Sequence, residues 1–132
     1  VLDEASGRHV VVRAARARVD PISEVARLAD VEVVLRGERP GIDLTLHCAT
    51  ARIALSDQAF RLDGDVRGVD GDGRRMRTEW LEYDPAVQTL RTTAPVTVID
   101  GAAEYRGQAL VYEVDDRRLR LLGGVSVVRG AP

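Results

Sequence analysis

The sequence predicts an antiparallel all-β domain on three observations. Short runs of residues alternate apolar and polar, Gly, Pro and Asp separate the runs, and one strand-turn-strand pattern is written twice at a fixed interval. No segment longer than one turn keeps a helical period. The 132 residues suit a single domain, 1–132, large enough for a real core and too small for two comfortable ones.

Taken in order, His9 to Val19 reads as a strand, with a β-branched run at Val10 to Val12 and alternating Arg16 and Arg18. Pro21 ends it. Ile22 to Leu28 has room for one helical turn, but Val31 to Leu35 returns to strand character, and a second strand is expected there. Gly37 to Gly41, with Pro40 inside, reads as a loop. Leu44, Leu46 and Cys48 alternate with polar partners, Ile53 and Leu55 form a two-apart pair, and Ser56-Asp57 turns the chain toward Phe60, Leu62 and Val66. Asp70-Gly71-Asp72-Gly73 and Asp100-Gly101 are hairpin signals, because Asp-Gly accepts the positive φ of tight turns.

The doubled pattern spans Met76 to Val128. Met76 to Tyr83 recurs 29 residues later as Tyr105 to Tyr112, Leu90-Arg91 as Leu119-Arg120, and Val96-Thr97-Val98 as Val125-Ser126-Val127. Such a unit cannot bury its apolar side alone and must stack on its neighbours. Leu81 and Tyr83, like Leu110 and Tyr112, sit two apart and share a face, and Asp84-Pro85 or Asp115-Asp116 turns the chain after them. From Met76 to Leu81 the spacing is odd, as it is from Tyr105 to Leu110. A flat strand would send these residues to opposite sides; a bulge or corner between them brings both inward. Ile53 and Leu55 are expected to stand for Leu81 and Tyr83 in a degenerate third copy, with 63–66 matching 122–125. Ala17, Val19, Val31 and Val33 suggest a fourth.

Composition excludes several functions. The formal charge of -2 gives no electrostatic case for nucleic acid. At 45% hydrophobic residues disorder is not expected, and at 4% aromatic the core must be aliphatic. No apolar run approaches the ~20 residues of a membrane helix. Cys48 is alone and forms no internal disulfide. His47 and Cys48, being adjacent, face opposite sides of a strand, which is poor geometry for one metal. Asp63, Asp65, Asp70 and Asp72 lack the closing acid of a calcium loop and read as turn residues. No nucleophile motif is present, and neither His9 nor His47 has a recognisable catalytic partner, so no catalytic residue, cofactor or metal is expected. The arginine clusters 74, 75, 77 and 117, 118, 120 have the chemistry to meet phosphates, though such runs are ordinarily a solvated face.

Leu-x-Gly-Asp-Val at Leu62 to Val66, then Met-x-Thr-x-x-Leu-x-Tyr-Asp at Met76 to Asp84, then Pro-Val-x-Val at Pro95 to Val98 resemble, in order and spacing, the LptC family of lipopolysaccharide export bridges, related to LptA and to the amino-terminal part of LptD. The resemblance runs from about Gly7 to Val128. It implies a twisted, partly open β-jellyroll in the periplasm with an apolar groove for the acyl chains of lipopolysaccharide. It also implies head-to-tail stacking on an LptA-like protein and an ATP-driven inner-membrane transporter complex. The family's single amino-terminal membrane helix is not among these residues, so the resemblance places the anchor outside them.

A sheet folded into a trough and lined with medium-sized aliphatics accepts acyl chains without special chemistry. The inward candidates are Leu46, Ile53, Leu55, Leu62, Val66, Met76, Leu81, Tyr83, Leu90, Val96, Val98, Leu110, Tyr112, Leu119, Val125 and Val127. Residue by residue, alternating aliphatics more often make plain core. A jellyroll that does not close leaves strand edges to which another strand can add. The expected docking edges are Val10, Val11 and Val12 at one end and Val125, Val127 and Val128 at the other, where neither run carries proline and lysine is absent from the whole chain. The competing expectation is a structural β-repeat domain that assembles edge to edge without a lipid.

Overall fold

The computed structural model describes residues 2–3, 9–36, 43–116 and 118–129. The expected loop at Gly37 to Gly41 lies outside them. Among the described residues there is no helix, as the absence of helical period predicts. The strands are β1 (Leu2–Asp3), β2 (His9–Asp20), β3 (Val25–Arg36), β4 (Asp43–Ala54), β5 (Phe60–Asp70), β6 (Arg75–Asp84), β7 (Thr89–Thr92), β8 (Val96–Asp100), β9 (Ala103–Gly107), β10 (Ala109–Glu113), β11 (Arg118–Leu122) and β12 (Ser126–Arg129).

All pairing is antiparallel, and the sheet runs β1-β2-β3-β4-β5-β6 before it forks at β6. Residues 82–84 of β6 pair with β7, which leads on to β10 and β11; residues 75–77 pair with β8, which leads on to β9 and β12. The fork divides the sheet into two arms. The upper arm holds β1, β8, β9, β12 and residues 9–14, 31–36, 43–48, 66–70 and 75–78; the lower arm holds β7, β10, β11 and the remaining halves of β2 to β6.

The arms face each other because each long strand turns a corner where its inward parity changes. In β6, Met76 and Thr78 are buried in the upper arm and Leu81 and Tyr83 in the lower, so both residues of the odd-spaced pair point inward as the spacing requires. In β5 the change is a bulge. Asp63 pairs with Trp80 and Val66 with Thr78, leaving Gly64 and Asp65 opposite Glu79 alone. Gly64 has φ 87°, and a Cβ there would lie 2.8 Å from the Ala49 Cβ, so the corner needs glycine both for conformation and for space. In β3 the corner is Asp30 at φ 55°; Gly123 and Gly124, both at positive φ, join β11 to β12. Thr78 closes another corner by donating its hydroxyl to the Pro95 carbonyl at 3.0 Å.

The degenerate third copy has a different register from the one expected. Ala51 aligns with Leu62 and Leu81, and Ile53 with Phe60 and Tyr83. Ala51 and Ile53, not Ile53 and Leu55, are therefore the equivalents of Leu81 and Tyr83. Leu55 instead starts the next turn: its N-H donates to the Glu24 carbonyl at 2.9 Å, and Gln58 N-H closes the turn on Ala54 at 2.8 Å. Leu55 is exposed there.

Candidate functional site

The candidate site is the space between the arms, and cross-strand register builds its lining. On the upper arm one inward row runs Val12, Val33, Leu46, Gly68, Met76, Val98, Tyr105, Val127. On the lower arm the matching row runs Val19, Ala26, Ile53, Phe60, Tyr83, Leu90, Tyr112, Leu119. Each row crosses eight strands, so the apolar track lies perpendicular to the chain and spans the sheet from edge to edge. Phe60 stacks on Tyr83 with ring centroids 4.9 Å apart, filling the middle of the lower row.

Of the sixteen predicted lining residues, Leu46, Ile53, Leu62, Val66, Met76, Leu81, Tyr83, Leu90, Val96, Val98, Leu110 and Tyr112 are buried in one cluster, and Leu119 packs half-buried against it. Leu55, Val125 and Val127 are outside it. Val127 keeps the inward register but stands 61% exposed, because among the described residues no strand lies beyond β12 on its branch. Val125 sits at the corner before β12 and is also exposed. Val19, at the opposite end of the lower row, is 55% exposed, since β1 pairs β2 only at His9 and Val10. The track is thus closed in the middle and bare at both ends. Sequence reasoning left Val19, Val33 and Phe60 out of the lining, named Val12 as a docking edge and turned Tyr105 inward only as the counterpart of Met76; their alternation was visible, but their row was not.

The expected docking edges are placed at the two ends. Val10 is paired through its backbone with Leu2 of β1, and among the described residues no strand pairs with that edge of β2 at Val11 and Val12. At the other end Val127 and Val128 lie in β12, whose partner is β9 on one side only.

A polar cluster joins the two arms. Asp70 sits in the inward row of the upper arm farthest from the corners, beside Leu44, with its side chain 2% exposed. Its carboxylate accepts from the Arg74 guanidinium at 2.8 Å, from the backbone N-H of Asp72 and Arg74, and from the Tyr112 hydroxyl at 3.3 Å. Tyr112 belongs to the lower arm, so this cluster pins the free margins of the arms together. Burial raises the Tyr112 phenol, and the Asp70 charge raises it further. Burial opposes the charge on Arg74, but the hydrogen bond to Asp70 outweighs it and holds the guanidinium more firmly charged.

The weaker sequence candidates are dispersed over the fold. His47 Nε2 lies 3.3 Å from Glu32 on the outside, while Cys48 points inward. Burial pushes the Cys48 thiol up to about 11. Among the described residues no group of His, Cys, Asp and Glu could hold a metal ion. Asp70 and Asp72 belong to one turn, while Asp63 and Asp65 meet Arg61 and Arg77.

An apolar track between two arms of one folded antiparallel sheet defines a β-jellyroll. Residues 3–129 match the family model for lipopolysaccharide assembly, LptC-related, and the chain belongs to that family. The fold is similar to that of LptH, described as the LptA homologous periplasmic component of the conserved lipopolysaccharide transport device of Pseudomonas aeruginosa. The TM-score is 0.72 and the identity 14%, over 93% of this chain and 96% of that one. At that identity the likeness concerns the fold alone. No curated protein matches the chain.

Proposed function

We propose that the chain is a non-enzymatic periplasmic bridge that receives lipopolysaccharide from an inner-membrane transporter complex, holds its acyl chains between the arms, and passes it to an LptA-like protein docked end to end. The observation that carries this reading is the apolar track itself: it crosses every long strand and is bare only at Val19 and Val127, where a neighbour's rows would extend it. Each acyl methylene buried on such a track contributes roughly 0.8 kcal/mol. Docking by strand addition at β2 and β12 would satisfy open backbone groups and continue the track in one step. The anchoring helix of the family is expected outside these residues.

The interior rows pack against each other, so acyl chains enter only when the arms part, and the margin held by Asp70 and Tyr112 is the place to part them. The same packing favours the competing reading, a structural β-repeat that assembles through its edges and carries no lipid. Photo-crosslinkers at Leu81, Val98 and Leu110 decide between them. Adducts with lipopolysaccharide at these positions support the conduit, and their absence at all three favours the structural domain. Docking is tested by mixing with an LptA-like partner: Val127→Arg is expected to abolish association, and unchanged association removes β12 from the interface.

A further inference from the structure

On the outside of the lower arm the register places Arg18 opposite Arg27, Arg27 opposite Arg52, and Arg52 opposite Arg61. Neighbouring strands lie about 4.8 Å apart, and like charges set directly opposite destabilise a sheet. Arg61 is neutralised: it bonds Asp63 at 3.1 Å, lies 3.6 Å from Glu82 and stacks over Trp80 at 4.4 Å. Among the described residues Arg18, Arg27 and Arg52 form no ion pair or hydrogen bond, and with Arg16 they line a shallow depression that also includes Ala29, Thr50 and Asp63. The nearest carboxylates are already engaged. Asp63 is bound by Arg61, and Asp20, which feels the charge of Arg27 without pairing with it, turns back to accept from the N-H groups of Ile22 and Ser23.

We infer that this row is a binding site for a phosphate ester, the three guanidinium groups supplying more donors than one carboxylate can accept and matching the several oxygens of a phosphoryl group. A folding role does not account for it, since the row costs stability and the outer row of the upper arm shows the alternative: there Arg13, Arg77 and Arg106 meet Glu32, Asp65 and Glu104. The phosphate can be carried by a lipid headgroup or by a soluble ester. Ile22, 95% exposed at the adjoining turn, suits the first source.

The test is calorimetric titration of the whole chain with inorganic pyrophosphate at about 10 mM ionic strength, where screening extends to about 30 Å. Arg27→Gln is expected to weaken binding about tenfold, equivalent to about 1.4 kcal/mol, and Arg18→Gln combined with Arg52→Gln to abolish it. Arg13→Gln on the other arm should leave it unchanged. Because Arg27→Gln removes a repulsion, its melting temperature should hold or rise, which keeps loss of binding distinct from loss of fold. Flotation with phosphatidylglycerol-containing vesicles, against pure phosphatidylcholine, identifies the source. Vesicle binding lost in Arg27→Gln and Ile22→Ser assigns the phosphate to a lipid, and pyrophosphate binding alone assigns it to a soluble ester. Either supports the site. No pyrophosphate binding, undiminished binding by Arg27→Gln, or an equal loss in Arg13→Gln overturns it.

Discussion

The two arms are alike inside and unlike outside. Each presents inward rows of aliphatic and aromatic side chains in continuous register, yet their outer rows handle the same residue, arginine, in opposite ways. On the upper arm Asp65 meets both Arg77, at 2.7 Å, and Arg67, at 3.6 Å, and Glu32 lies between Arg13 and His47. On the lower arm three arginines in sequence across the sheet face one another with no carboxylate between them. The inner likeness is what a shared core demands. The outer difference has no origin in core packing.

Breaking the link between the arms should have the largest effect. Asp70→Ala removes the buried carboxylate that Arg74 and Tyr112 share; the expected loss is about 3 kcal/mol, read as a lower urea midpoint. A loss below about 1 kcal/mol would mean that the margins are held by apolar contact alone. Next comes the corner that lets the arms face each other. Gly64→Ala combines a strained φ with a 2.8 Å approach to Ala49 and should cost about 2 kcal/mol.

The third effect depends on pH. The Cys48 thiol titrates near 9.0 when unperturbed and about 11 in the folded chain, because burial disfavours the thiolate. The unfolded chain therefore ionises first, and stability present below pH 9 is lost as pH rises toward 11, by about 1–2 kcal/mol. Cys48→Ala should flatten that part of the stability profile, and an identical alkaline decline in the variant would move the cause to Tyr112. Asp65 acts with the opposite sign at acid pH. Arg77 holds its carboxyl below the usual range, so its small contribution is present above the unfolded value and fades as pH falls through the folded one.

The smallest effects sharpen the comparison most. Glu32→Gln on the upper arm should destabilise by up to about 0.5 kcal/mol, whereas Arg27→Gln on the lower should be neutral or stabilising by a few tenths. Equal signs in a thermal melt would erase the distinction between the faces.

Much of this was legible in the residues. The odd spacing from Met76 to Leu81 announced the corner, since side-chain direction in a strand has a period of two and one extra residue must reverse it. Repetition at 29 residues revealed the stacked unit. The misplacement of Leu55 has an equally local cause: Ile53 and Leu55 alternate correctly, but Leu55 already belongs to a turn anchored on Glu24, a residue of the neighbouring hairpin. Val125 and Val127 were expected inside as the repeat counterparts of Val96 and Val98, of which only the latter pair is buried; the last copy of a repeat lacks the neighbour that covers the others.

Strand identity, turn positions and the inward residues of the middle strands were determined by the sequence alone, because alternation and turn chemistry act over a few neighbouring residues. Tertiary structure decided which residues stand beside each other across strands: the meeting of Asp70 with Tyr112, the exposure of the terminal valines, and the alignment of Arg18, Arg27 and Arg52 in one row. Those residues are separated by whole hairpins, and register between distant strands is set by bulges and corners summed along the sheet, which no short stretch of chain encodes.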